Sequence, residues 1–168
     1  MNKQPTNDNI NNEKNNFSLE LKVIPVVQVM LCAIAIFSID HYLLTFSYIG
    51  PFHKEIATLV FAISVVLILL AVISFKRSQT TVNPTTPQDT SQIVESGIYR
   101  YSRNPMYLAM TLSLLALCIF VENYLSFAIL PIFIGYLTRF QIIPEEQMLT
   151  RHFGEQYSQY CDRVRRWL

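Results

Sequence analysis

Charge is scarce in this chain. Only 15% of its 168 residues are charged, and 13 Lys and Arg against 12 Asp and Glu leave a net charge of +1. A balance so close to neutral, with the basic residues scattered, gives no reason to expect nucleic acid as a partner. There are three cysteines, Cys32, Cys118 and Cys161. They form no C-x-x-C pair and have no histidine at ligand spacing, so neither a disulfide framework nor a bound metal is expected. None of the four glycines belongs to a glycine-rich nucleotide fingerprint, which argues against a nicotinamide site. No internal repeat is present. Residues 1–20, rich in Asn and Lys, contain no apolar core followed by a small-residue cleavage site. They are expected to form a disordered cytoplasmic tail rather than a signal peptide.

What the chain has instead is hydrophobic residues, 51% of the total, gathered into runs. Ala57 to Phe75 carries no charge over about the length that crosses a bilayer as a helix. Lys22 to Ile39 is a second such run, Tyr107 to Val121 a shorter third, and Tyr124 to Ile143 a fourth. Only Glu122-Asn123 separates the last two, which implies a tight helical hairpin. The expected architecture is all-α and multi-pass, with about four transmembrane helices and a C-terminal cytoplasmic amphipathic helix. Lysines and arginines give the orientation. Lys3, Lys14 and Lys22 precede the first helix, Lys76, Arg77, Arg100 and Arg103 lie between the second and third, and Arg151, Arg163, Arg165 and Arg166 follow the fourth. The other two loops contain only Lys54. Both termini and the loop from Lys76 to Asn104 are therefore expected to be cytoplasmic, as in a multi-pass protein of a bacterial inner membrane.

The polar residues of chemical interest fall at that cytoplasmic edge. Gly97 to Tyr107 reads GIYRYSRNPMY, and Pro144-Glu145-Glu146 and Phe153-Gly154-Glu155-Gln156-Tyr157 come beyond the hairpin. Asn104-Pro105 fits the start of a helix, with Asn as N-cap and Pro at the first helical position. A helix start also offers N–H groups and a partial positive charge to a carboxylate ligand, and Arg103 could add a charge-assisted contact. Arg100 and Arg103 read equally well as anchors for lipid headgroups. Pro144 with two carboxylates reads as ordinary helix initiation, yet the pair could also bind an amino group or a ribose diol. Leu149, Phe153, Tyr157, Tyr160, Val164 and Trp167 fall on one helical face, an interfacial helix with Arg163, Arg165, Arg166 and Trp167 at headgroup level. The first half of Lys76–Glu95 reads as a linker, whereas Ile93-Val94 before Ser96-Gly97 suggests a segment packed down and then turned. Arg139 lies near the cytoplasmic end of the fourth run, and ionisable residues there are functional suspects. Asp40-His41 and Glu122 read as boundary residues at the far edge.

Taken together, these pieces resemble the membrane methyltransferases related to isoprenylcysteine carboxyl methyltransferase and phosphatidylethanolamine N-methyltransferase. The family pattern runs roughly G-x-Y-x-x-x-R-H-P-x-Y, a helical hairpin, then E-E-x-x-L-x-x-x-F-G-x-x-Y-x-x-Y. The chain supplies Gly97, Tyr99, Arg103, Pro105 and Tyr107, then Glu145, Glu146, Leu149, Phe153, Gly154, Tyr157 and Tyr160, in order and at that spacing. The match runs from about Gln92 to the C-terminus. Asn104 stands where the family usually has His, and it cannot titrate near neutral pH. The resemblance implies an integral membrane methyltransferase domain over residues 21–168, with S-adenosylmethionine bound by about residues 91–168. Tyr99 and the segment Arg103, Asn104, Pro105, Met106 and Tyr107 would line the cofactor. Glu145 would contact its polar part, and Ser91, Gln92, Ile93 and Val94 would cover it. Glu146 would orient the helix or neighbouring arginines. Arg139 and Gln141 are the expected substrate-side residues, and no catalytic residue is singled out.

The acceptor implied is lipophilic: an isoprenylcysteine-like carboxylate, a thiol or a phospholipid amine, with membrane lipids as surroundings. The leading rival is a catalytically inactive membrane scaffold or regulator that keeps the fold, a reading kept open by Asn104. A second rival is a reductase, since some membrane steroid reductases share a related C-terminal region, but it lacks its nucleotide fingerprint.

Overall fold

The computed structural model describes residues 25–42, 50–77 and 93–168. The N-terminal segment read as a tail, most of the Lys76–Glu95 loop, and the candidates Ser91 and Gln92 lie outside the described residues. Helix α1 spans Pro25–Tyr42 and α2 His53–Arg77. A 3₁₀ turn, Gly97–Arg100, leads to α3 at Pro105–Val121, and a second 3₁₀ turn, Tyr124–Ala128, leads to α4 at Ile129–Leu137. A π turn at Thr138–Ile142, α5 at Ile143–Phe153 and α6 at Glu155–Arg163 complete the described chain, which contains no β-strand among these residues.

Three helices are long and apolar enough to cross a membrane: α1, α2 and the continuous run Tyr124–Phe153 that contains α4 and α5. The fourth apolar segment, α3, has 17 residues, about 25 Å of helix, a little short of the ~30 Å hydrocarbon core. Helices in lipid gain little by hiding large apolar side chains from one another, so they turn these outward and approach each other on small residues. On α2, Leu59, Phe61, Val66 and Leu69 are exposed while Ala57, Ser64, Ala71 and Ser74 are buried. That narrow face makes the most extensive helix–helix packing, against α3. Ile36 of α1, Tyr107, Leu114 and Cys118 of α3, and Phe133, Leu137 and Ile142 form one buried cluster, with Trp167 packed on it.

Two features of the second half depart from expectation. Pro144 does not open a new helix, because the helical run passes through it. Its ring would clash with the Phe140 carbonyl four residues earlier, and the widened π turn at Thr138–Ile142 relieves that conflict. The inserted residue rotates α5 by about 100° relative to an unbroken α-helix. The tail, in turn, is two short helices rather than one, broken at Gly154 with φ 53° and ψ −122°, a conformation that glycine alone adopts readily. Leu149, Phe153, Tyr157, Tyr160 and Val164 still form one cluster, which includes Ile93. Trp167 leaves that cluster and packs, partly buried, on the main core.

Gly97 brings the 3₁₀ turn down on α2. Its φ is 62°, and a Cβ there would overlap Ser74 Oγ, so both backbone conformation and close approach require glycine. The consequence is that Tyr99 is buried beside Ala71 and Val94, with its ring edge-on to Phe75 at 5.1 Å.

Candidate cofactor site at one end of the bundle

The site is assembled from the start of α3, the start of α5 and the C-terminal strap, the non-helical residues 164–168 that follow α6. Tyr107, in the first turn of α3, donates its phenolic proton to Glu145 Oε1 at 2.5 Å. Next along, Glu146 lies between two guanidinium groups. Arg166 donates to it through Nε at 3.0 Å and Nη2 at 2.7 Å, a bidentate fork, and Arg103 Nη2 approaches at 3.3 Å. The side chains of Arg103 and Glu146 are 14% and 17% exposed, so this ion pair is shielded more than an ordinary surface pair. Arg103 also donates through Nη1 to Cys161 Sγ. Its Nε is buried and has no hydrogen-bond partner among the described residues.

Asn104 does not cap α3 with its side chain. Its carbonyl accepts from Leu108 N at 3.0 Å and so begins the helix, while its Nδ2 donates to the Arg166 carbonyl at 3.0 Å. Arg103 N donates to the Arg165 carbonyl at 3.0 Å, and Asn104 N to the buried Ser102 Oγ at 3.1 Å. The C-terminal strap thus holds the polar turn by main-chain carbonyls, and the first-turn N–H groups of Met106 and Tyr107 are left uncapped by Asn104. Pro105 stands at the first helical position, as expected, where its missing N–H is no loss.

Tyr99 joins this cluster to α6. Its carbonyl accepts from Tyr160 Oη at 2.8 Å. Burial, and then the neighbouring Tyr160 and Glu145, hold the Tyr99 phenol far above its usual pKa, so it stays protonated. Beyond Tyr160, a cavity of about 630 Å³ opens between Ile93–Ser96 and α6, lined also by Arg100, Arg163 and Val164. That volume is in the range of small-molecule sites. Arg163 pairs with Glu95 across its rim at 2.8 Å.

The expected site residues are therefore not all alike in placement. Tyr99, Arg103, Asn104, Pro105, Met106, Tyr107, Glu145 and Glu146 come together at one end, with Ile93 and Val94 packed alongside. Gln141 is buried, whereas Arg139 is exposed with its guanidinium 5.5 Å from the Phe140 ring centroid. Arg166 is the site residue that sequence reasoning misses. Its position in a basic run suggests a headgroup anchor, and only the folding-back of the strap brings it to Glu146.

The family model for phospholipid methyltransferases matches residues 52–156. The chain belongs to that family. Membership supports a membrane methyltransferase in general, consistent with the all-α architecture. An uncharacterized protein of Haemophilus influenzae is 43% identical over 63 residues, which are 38% of this chain and 100% of the relative. No solved structure matches the chain significantly.

Proposed function

We propose that this protein is a methyltransferase that uses S-adenosylmethionine and acts on a lipophilic acceptor at the cytoplasmic face of the membrane. The observation that carries the reading is the Tyr107–Glu145 pair, set against an uncapped helix start and beside the Arg103–Glu146–Arg166 cluster. The donor set fits a zwitterionic, cationic cofactor. Glu145 offers acceptors to an amino group or a ribose diol. The first-turn N–H groups of α3 suit a carboxylate, as does Arg103 Nε, unpartnered among the described residues. Ile93 and Val94, with Ser91 and Gln92 preceding them, would cover the site, and residues 91–168 form the cofactor-binding half.

When bound, S-adenosylmethionine would supply a methyl group from its sulfonium, the acceptor's lone pair taking the methyl carbon in line as the carbon–sulfur bond breaks and the sulfur leaves as a neutral thioether. The chain's own part is alignment and exclusion of water. Glu146, held from two sides, fixes the start of α5 so that Glu145 keeps its place under Tyr107. A carboxylate or thiolate acceptor needs no base, whereas a phospholipid ammonium must first lose a proton. The acceptor would reach the site laterally through the bilayer, past Arg139 and Gln141, while the cofactor enters from the water side. Both termini are then cytoplasmic, as the Lys and Arg distribution implies.

The second reading is an inactive scaffold or regulator. It is favoured by one observation: the Asn104 side chain is committed to the Arg166 carbonyl, a structural task. Calorimetry of S-adenosylmethionine binding to the detergent-purified chain, beside Glu145→Ala and Tyr107→Ala, tests the proposal. Micromolar binding lost in both variants is expected. No binding by a folded protein would overturn it, and binding without methyl transfer to any lipid extract would select the scaffold.

A further inference from the structure

The cavity between residues 93–96 and α6 stands apart from the Tyr107–Glu145 pair. None of Tyr99, Arg103, Tyr107, Glu145 and Glu146 lines it. Val94 packs with Ala71 and Tyr99, whereas Ile93 packs with Tyr157, Tyr160 and Val164. Successive side chains of this segment therefore face opposite ways, and the cavity belongs to the Ile93 side. The Tyr160 phenol, another part of its wall, is already committed to the Tyr99 carbonyl at 2.8 Å.

The remaining lining of this cavity of about 630 Å³ is mostly polar, with Arg100 and Arg163 set against one carboxylate, Glu95. Arg163 donates through Nη2 to Glu95 Oε2 at 2.8 Å and through Nε to the Gln159 carbonyl at 3.2 Å, so Nη1 is left over. The two side chains of that ion pair are 64% and 31% exposed, so it contributes little and yields to a stronger partner. Arg100 is exposed, and no carboxylate pairs with it among the described residues. Ser96 Oγ caps no N–H of the 3₁₀ turn, which leaves its hydroxyl free to donate. Two guanidinium forks and a hydroxyl on different walls suit a phosphate, whose oxygens point to the corners of a tetrahedron. A carboxylate has only two oxygens in one plane and cannot meet all three donors. Lys76 and Arg77 end α2 one turn beyond Ser74, which touches Gly97, so the field at this end also draws anions. Basic pockets at a membrane edge bind anionic headgroups on these same terms.

We propose that this cavity is a second ligand site, which binds the phosphate group of an anionic ester between Arg100 and Arg163. The phosphate comes either from an anionic lipid headgroup or from a soluble phosphate ester. Headgroups that carry an ammonium beside the phosphate are repelled by the two guanidinium groups, so phosphatidylglycerol is preferred to phosphatidylethanolamine and phosphatidylcholine. The ligand is therefore not an amine acceptor, and the inference stands whether or not the chain transfers methyl groups. Once bound, the phosphate draws Arg163 away from Glu95 and bridges the 3₁₀ turn to α6.

The test uses the full chain. Nanodiscs of phosphatidylcholine with equal minor shares of phosphatidylglycerol and phosphatidylethanolamine are examined by native mass spectrometry for retained lipid. Glycerol 3-phosphate and inorganic phosphate are titrated calorimetrically into the detergent-purified protein at constant ionic strength. The expected result is preferential retention of phosphatidylglycerol by the wild type, reduced about tenfold or more in Arg100→Gln and in Arg163→Gln. Arg151→Gln, which removes an exposed arginine of α5, should keep the preference, and Glu95→Gln should strengthen it by releasing Arg163. Glycerol 3-phosphate binding with the same variant pattern, but no lipid preference, assigns the site to a soluble ester. Equal retention of all three lipids together with no binding of either phosphate overturns the proposal. So does an equal loss in Arg151→Gln, which would mean diffuse attraction to membrane charge, or a loss in Glu95→Gln, which would make the carboxylate the binding group. Should Arg163→Gln disturb α6, Arg100→Gln decides alone, and undiminished phosphate binding there overturns the site.

Discussion

Tyr107 and Glu145, 38 positions apart, meet through a 2.5 Å hydrogen bond that joins the first turn of α3 to the first turn of α5. The bond fixes the height of the α3 start, which offers its dipole, relative to the carboxylates just past the π turn. Tyr107 is also part of the main buried cluster, so its ring and its hydroxyl do separate work. Tyr107→Phe keeps the ring and removes the donor, leaving Glu145 without its partner. Leaving a buried acceptor without its donor costs about 1–3 kcal/mol. S-adenosylmethionine affinity by calorimetry should therefore fall by roughly tenfold or more, while thermal unfolding in detergent shifts far less than for Tyr107→Ala. Unchanged affinity would show that the pair is structural only.

The two strained glycines should respond differently to alanine. At Gly154 nothing lies within 4 Å of the added Cβ, so Gly154→Ala meets only the backbone penalty of φ 53° with ψ −122°, about 1–3 kcal/mol. At Gly97 a positive-φ penalty is joined by overlap with Ser74 Oγ. Gly97→Ala should lower the thermal midpoint more than Gly154→Ala does. Adding Ser74→Ala, which removes the colliding atom, should recover part of the loss and not all of it. Full recovery would mean that the backbone at Gly97 relaxes freely.

Arg166 is a test of the strap. Its fork on Glu146 depends on a planar guanidinium, which lysine does not reproduce. Arg166 is 38% exposed on its side chain, so the pair is worth about 1 kcal/mol rather than the full value of a buried one. Arg166→Lys and Arg166→Ala should therefore weaken cofactor binding similarly, by roughly fivefold. Both should speed hydrogen exchange at Arg103 and Asn104, whose main-chain and side-chain bonds end on the strap. Protection equal to wild type in Arg166→Ala would show that the carbonyl contacts hold the strap without its guanidinium.

The sequence discloses this site unevenly, for physical reasons. Apolar runs announce bilayer helices because composition alone decides them, and Pro105 marks the start of α3 because few residues suit that position. Gly97, Tyr107, Glu145 and Glu146 stand out as chemically pointed residues in polar turns. Asn104, by contrast, has a local role that sequence suggests and a distant one that prevails: the Arg166 carbonyl, 62 positions on, takes its amide. The bond of Tyr160 to the Tyr99 carbonyl is likewise invisible, being made to a main-chain atom. Glu122 reads as a boundary residue because nothing near it in sequence reveals His53 on another helix. Gly154 is visible as a motif residue, but its break into two helices emerges only from the backbone angles.

The π turn before Pro144 gives the last test. If that proline is what prevents an unbroken α-helix, Pro144→Ala restores an N–H able to bond the Phe140 carbonyl and lets the π turn relax. The relaxed helix turns Glu145 and Glu146 by about 100°, away from Tyr107 and the two arginines. Thermal stability should stay level or rise, since a poorly bonded turn is replaced by a regular one. Cofactor affinity should fall, and by more than in Tyr107→Phe, because both carboxylates move together. Stability and affinity falling in step would instead mean that the proline supports packing, and that the π turn is set by the neighbouring helices rather than by residue 144.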